Sequence, residues 1–299
     1  MCGIVGLFLK NPRLQSKLGA HLETMLVGMS ERGPDSAGIA VYHSPVAKGR
    51  SKLTLFNADE SYPWKKLASD LNKALKAEAK IEQKGNHALL VAKAGEKKII
   101  DWLKANRPDV RIMGYGTLME VYKDMGLPGE VAQRYGLKKM SGTHAIGHTR
   151  MATESAVTTE HSHPFTPAPD MCLVHNGSLS NHNNLRKWLK KQGQSFDTDN
   201  DSEVAARYFA HRLGEGASLA EALEAGLTDL DGFFTFTMGT KDGFAVLRDG
   251  IACKPAVLAE NDDWVAMASE FRSLAYLPNI EKAKIWEPAP ATVYTWSLH

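Results

Sequence analysis

The sequence predicts an α+β layered domain in which sheets are covered by helices. Three observations carry this expectation. Strand-like segments cluster at both ends of the 299-residue chain, helical patterns lie between them, and no internal repeat or low-complexity linker divides it. The expected organisation is one domain over residues 1–299 with an insertion at about 57–140, where strand and helix patterns alternate as in an α/β subdomain.

The elements follow in order. Residues 4–9 are apolar and β-prone, and 14–29 carry the stripe Leu18, Leu22, Met25, Leu26 and Met29 at helical spacing. Gly33, Pro34 and Asp35 break that helix, and 37–42 read as a short strand. Within the insertion, 64–83 are rich in Lys, Ala and Leu and read as a helix with a solvated face. A strand is expected at 87–92, a helix at 97–105, a strand at 110–113, and a helix over 117–135 broken at 126–128. Strands then follow at 144–148 and 171–175, and His175-Asn176-Gly177 read as a turn directly after the second of these. Helices are expected at 185–191, 202–213 and 218–227, the second opening on Asp199, Asp201 and Ser202. Short strands at 233–239, 244–247, 256–259 and 264–268, with one or two more within 285–296, resemble a meander.

Composition narrows the function. Hydrophobic residues make up 43% and charged residues 23%, with a formal net charge of +2. That balance gives no reason to expect nucleic acid, and no apolar run is long enough to span a bilayer. The N-terminus has no signal-peptide pattern. Cys2, Cys172 and Cys253 are odd in number and widely spaced, which fits neither a disulfide framework nor a zinc site and suits a reducing cytoplasm. His161 and His163 form a possible ligand pair, but Pro164 follows and no third ligand is spaced to complete it.

Cys2 stands directly behind Met1 in the run Met1-Cys2-Gly3-Ile4-Val5-Gly6. Removal of Met1 would leave one residue holding both a thiol and an α-amine, the second able to act as a base near neutral pH. Four other stretches, 31–38, 147–153, 175–177 and 198–203, could complete a site for a free amino acid. Arg150, at a strand end, could grip an α-carboxylate in bidentate fashion. Asp201, at a helix start, could take an α-ammonium. The Asn176 amide and the Gly177 backbone N–H could aim two donors at one oxyanion. Each has an ordinary alternative: Cys2 as a strand residue, Asn176-Gly177 as a hairpin turn, Arg150 as an ion-pair partner, Asp201 as a cap, Arg32 as turn structure and His148 as a core histidine.

Taken together, Met1-Cys2-Gly3-Ile4-Val5-Gly6, Arg32-Gly33-Pro34-Asp35-Ser36-Ala37-Gly38, Gly147-His148-Thr149-Arg150, His175-Asn176-Gly177 and Asp201-Ser202-Glu203 resemble the class II, N-terminal nucleophile glutamine amidotransferase domains. That family includes glucosamine-6-phosphate synthase, amidophosphoribosyltransferase, asparagine synthetase and glutamate synthase. The resemblance covers about 1–56 and 141–280. It implies a four-layer αββα N-terminal nucleophile hydrolase fold and hydrolysis of the side-chain amide of L-glutamine. By resemblance, Cys2 is the nucleophile and Asn176 and Gly177 form the oxyanion hole. Arg150, Thr153, Asp201 and Arg32 bind or frame the substrate. The chain departs from the family's usual residues at Met151, where Trp is common, and at Glu154, where His is common.

The chain is too short to hold a synthase domain as well, and no phosphate-loop signature is present. The expectation is therefore an amidotransferase subunit that serves a separate synthase. It looks most like the stand-alone relatives of the glutamate synthase amidotransferase domain, such as the first subunit of N-methylglutamate synthase. No cofactor is expected on this chain, with FMN and iron–sulfur clusters possible on partner subunits. Two alternatives stay open: a free-standing hydrolase of another γ-glutamyl amide, and a non-catalytic module that retains the fold.

Overall fold

In the computed structural model of the chain, residues 2–151 and 158–298 are described. Two sheets packed face to face form its centre. The first has seven antiparallel strands in the order β15 (Lys284–Trp286), β13 (Val257–Glu260), β14 (Trp264–Ala268), β1 (Gly3–Leu9), β8 (His144–Arg150), β2 (Ser36–Tyr42) and β7 (Met119–Met125). The second has the order β16 (Thr292–Ser297), β12 (Gly243–Arg248), β11 (Gly232–Thr240), β10 (Met171–Leu179) and β9 (Phe165–Ala168).

Strand β1 shows why the layers form. It is apolar at every position because both of its faces are buried. Ile4 and Phe8 point toward the second sheet, where they join Val174, Phe244 and Val246. Val5, Leu7 and Leu9 point the other way, into a core with Leu22 and Leu26 of α1 (Leu18–Val27) and Val131 of α4 (Pro128–Arg134). On the far side of the second sheet, Leu173, Phe234 and Phe236 pack against Leu189 of α5 (His182–Lys191), Val204 and Phe209 of α6 (Asp201–Gly214) and Leu223 of α7 (Leu219–Asp229). Helices, sheet, sheet, helices is the αββα layering that the resemblance implies.

A third sheet, in the order β4 (Lys80–Lys84), β5 (His87–Ala92), β3 (Ser51–Phe56) and β6 (Arg111–Gly116), packs on α2 (Trp64–Leu75) and α3 (Glu96–Asn106) through Leu53, Leu90, Trp64, Leu71, Ile99 and Leu103. No helix among the described residues is long and apolar enough to cross a membrane.

Several elements differ from expectation. The helix expected over 64–83 stops at Leu75, because Lys76 adopts a left-handed φ of 51° and the Asn72 amide turns back to bond both the N–H and the carbonyl of Ala79. Residues 80–84 then form the edge strand β4. The helix expected over 117–125 is instead strand β7, in register with β2. Its Glu120, Lys123 and Asp124 are buried and partnered: Glu120 by Lys52 and Tyr122, Lys123 by the Ser162 carbonyl, Asp124 by Arg134 and Tyr135. Strands β3 and β9 were not anticipated. The turn expected at 175–177 is absent: Asn176 and Gly177 lie inside β10, opposite Thr235 and Phe234 of β11.

Candidate active site

The strand order brings the separated motifs to one end of the sheets. Cys2 immediately precedes β1 and is half-buried. Gly3 pairs with Thr149 of β8, so Arg150, the last residue of that strand, falls opposite Cys2. Arg150 is buried, and its backbone carbonyl accepts from the Asp35 N–H.

Two side chains converge on the Cys2 backbone. Arg32, in the short turn Ser30–Arg32 after α1, donates from Nε to the Cys2 carbonyl at 3.1 Å. Asn176 donates from Nδ2 to the same carbonyl at 3.3 Å. Arg32 is held in turn by Glu270, whose Oε1 lies 2.7 Å from Nη1. Ser269 Oγ accepts from the Ile4 N–H at 2.9 Å. The start of β1 is thus fixed from both sides, and the thiol of Cys2 extends from an anchored backbone.

Gly177 follows Asn176 with φ +148°, a conformation that side chains rarely adopt. A Cβ there would sit 2.0 Å from the Phe233 carbonyl oxygen and 2.8 Å from His175 Nε2. Glycine is therefore required by backbone packing alone.

Asp201 is the first residue of α6, but it does not cap that helix. Asn200 does, accepting from the Ser202 N–H at 2.8 Å. Asp201 Oδ2 accepts from the Leu179 N–H at 2.9 Å, which ties the helix start to the end of β10. Its Oδ1 lies 3.3 Å from Ser202 Oγ and 3.9 Å from His175 Nδ1.

Beneath these residues lie three buried imidazoles. His175 Nδ1 contacts Ser202 Oγ at 2.8 Å, and His148 Nε2 lies 3.2 Å from the His175 carbonyl. His163 stacks on His148 at 4.0 Å, and its Nδ1 accepts from the His175 N–H at 3.1 Å. His148 is a core histidine, and His163 packs in the same cluster. His161 Nδ1 bonds Thr158 Oγ1 at 2.7 Å. Burial pushes the imidazoles down, His148 to about 3 and His175 to about 4, with His163 also well below its ordinary value.

These folded values lie below the unfolded value of about 6.5, so below that pH the unfolded chain binds more protons than the native one. Stability should be complete well above pH 6.5 and should decline as pH falls through that value toward 5, by roughly 1–2 kcal/mol for each such histidine. Denaturant midpoints at pH 7.5 and pH 5 check this, and equal midpoints would contradict it.

Thr153, Glu154 and Met1 lie outside the described residues. Sequence reasoning missed Glu270, which sits 238 positions from Arg32 and belongs to no motif. A cavity of about 460 Å³ lies between β6, β9 and α6, lined in part by Lys123, Thr158, Glu160 and His161 and not by Cys2, Arg32, Arg150, Asn176, Gly177 or Asp201.

The chain matches the glutamine amidotransferase domain family over residues 148–276. It is 54% identical to the glutamine amidotransferase-like protein GlxB of Rhizobium meliloti (strain 1021), covering 99% of this chain and 98% of that protein. A putative glutamine amidotransferase of Methanothermobacter thermautotrophicus is 34% identical, covering 98% of this chain and 99% of that protein. Among solved structures, the glutamine phosphoribosylpyrophosphate amidotransferase of B. subtilis shares the fold with a TM-score of 0.62 at 20% identity, over 98% of this chain and 47% of that one. Near-complete coverage of two such relatives places this chain in the glutamine amidotransferase family, and its layered fold is that of the class II members.

Proposed function

We propose that this chain hydrolyses the side-chain amide of glutamine through a γ-glutamyl thioester on Cys2 and delivers the ammonia, or the glutamyl product, to a separate synthase subunit. The observation that carries this reading is the convergence of Arg32 and Asn176 on the Cys2 carbonyl. A buried strand cysteine would need no such clamp from two distant motifs.

The chemistry balances on the residues present once Met1 is removed. The Cys2 α-amine accepts the thiol proton as sulfur attacks the amide carbon. The carbonyl oxygen becomes an oxyanion. An Asn side-chain amide has two N–H donors, so Asn176 can hold the Cys2 carbonyl with one and offer the second to the oxyanion beside the Gly177 N–H. The proton held on the α-amine passes to the leaving nitrogen, and ammonia departs. Water then adds to the thioester and returns the thiol with free glutamate. Arg150 takes the substrate α-carboxylate and Asp201 its α-ammonium. Thr153 and Arg32 complete the pocket, Arg32 by fixing the nucleophile's backbone.

Arg150→Lys and Asp201→Asn should each raise KM for glutamine by about 10- to 100-fold, as expected for loss of a hydrogen bond to a charged group. Steady-state kinetics check this, and an unchanged KM would remove the residue from the substrate site.

The partner fits a glutamate synthase or N-methylglutamate synthase arrangement, in which FMN and iron–sulfur clusters would reside on other subunits. Glutamine hydrolysis without an acceptor wastes substrate, so the isolated chain should turn over slowly and accelerate when the synthase subunit is added. Assay of ammonia release by the Met1-free chain tests the reading. Faster hydrolysis of γ-glutamyl conjugates than of glutamine would favour a hydrolase of another amide, and no hydrolysis of either, with or without partner, would favour a non-catalytic module.

A further inference from the structure

Lys123 is a buried ammonium held by contacts within residues 160–165, ahead of β10. It is 5% exposed. Its Nζ donates to the carbonyls of Ser162 at 2.8 Å, Glu160 at 3.3 Å and Pro164 at 3.4 Å. The ring of Phe165 lies 5.3 Å from Nζ. Three converging carbonyls use all three protons of an ammonium group.

The segment so held crosses the first sheet at a place prepared for it. Lys123 pairs with Gly38 of β2, and Gly38 pairs with His148 of β8. A Cβ at Gly38 would sit 1.9 Å from the His163 carbonyl oxygen and 2.7 Å from Lys123 Cβ. The bare glycine lets residue 163 lie against the sheet between Lys123 and His148. Strand β7 adds a second tie, since Thr159 Oγ1 donates to Asp124 Oδ1 at 3.3 Å. From this position His163 accepts the His175 N–H and stacks on His148. His175 is the residue immediately before Asn176.

We propose that Lys123 is a positioning residue for glutamine hydrolysis: its carbonyl clamp fixes residues 160–164, and through His163 it sets the backbone that carries Asn176 and Gly177. The proposal rests on reading Asn176 and Gly177 as the oxyanion hole. It makes strand β7, which follows directly from the inserted sheet, part of the machinery that holds the site. That gives the inserted unit a physical route to the amide chemistry, because a displacement of β7 moves the clamp.

The clamp is expected to titrate. Burial pushes the Lys123 ammonium down to about 8, against the opposing pull of Glu160, Glu203 and Asp197. His163 and His87 also face it, and burial keeps both neutral. Above that pH the neutral amine keeps two donors and turns a lone pair toward a carbonyl, so one of the three bonds is lost. The wild-type kcat/KM for glutamine should therefore fall on the alkaline side with a midpoint near 8. A general base gives the opposite limb, since deprotonating the Cys2 α-amine raises activity.

The test uses the full-length, Met1-free chain. Lys123→Met should lower kcat/KM by about tenfold or more, in line with the cost of a small misplacement in an active site, and should lose the alkaline decline. Lys123→Arg, which stays charged across this range, should extend activity above pH 8 relative to wild type. A cooperatively folded Lys123→Met chain with wild-type kcat/KM and pH profile overturns the proposal. A wild-type profile that stays flat from pH 7 to 10 overturns it whether or not the variants fold. If wild type hydrolyses no glutamine while its thermal unfolding is cooperative, the reading of the site itself has failed, and that outcome is distinct from either of these.

Discussion

Cys2→Ala should remove glutamine hydrolysis, lowering kcat by about four orders of magnitude or more, the scale seen when the nucleophile of a covalent mechanism is deleted. The structure makes this a clean substitution. Both contacts from Arg32 and Asn176 go to the Cys2 backbone carbonyl, which alanine retains. The side chain is half-buried at a strand start, so truncation leaves little cavity. The variant should therefore fold with a near-wild-type melting temperature, and ammonia release measured beside thermal unfolding checks both halves. Retained hydrolysis in a folded variant would mean that Cys2 is not the nucleophile.

Asn176→Ala should lower kcat by about 10²–10³-fold with a much smaller change in KM, because the donor it removes acts where charge develops in the transition state. Asn176 also steadies the Cys2 carbonyl, but Arg32 holds that carbonyl independently, so the nucleophile should stay in place. Measured kcat and KM separate the two roles. A raised KM with unchanged kcat would make Asn176 a ground-state contact rather than an oxyanion donor. Gly177 is a poorer probe, since any side chain there collides with the backbone of β11 and perturbs the sheet itself.

Much of the fold is legible in sequence because its strands are apolar on both faces. Residues 4–9, 37–42 and 144–148 read as buried strands since one face meets helices and the other meets the second sheet. Strand β7 was misread because Glu120, Lys123 and Asp124 carry charge in its middle, and sequence alone does not reveal that Lys52, three loop carbonyls, and Tyr135 with Arg134 are waiting for them. The Asn176-Gly177 pair is among the commonest hairpin-turn dipeptides, yet here it continues a strand. Its pairing across β11 is a property of the sheet, absent from any local window.

The site shows the same division. Cys2, Arg32, Arg150, Asn176, Gly177 and Asp201 each sit in a motif of several residues, and the structure brings them to one end of the sheets. Asp201 has a plain role as a cap when read from sequence, and Asn200 turns out to fill it. Glu270 and Lys123 were invisible because the contacts that matter join segments apart in sequence, 238 positions for Glu270 with Arg32 and 39 for Lys123 with Ser162. Such supports carry no spacing signal.

The most direct test is chemical labelling of the Met1-free chain with 6-diazo-5-oxo-norleucine, a glutamine analogue that traps a glutaminase nucleophile, followed by peptide mapping. The expected result is one adduct per chain, on Cys2, suppressed by excess glutamine and abolished in Cys2→Ala. Absence of any adduct, or labelling confined to the exposed Cys253, would contradict the assignment of Cys2 as the nucleophile of a glutamine site.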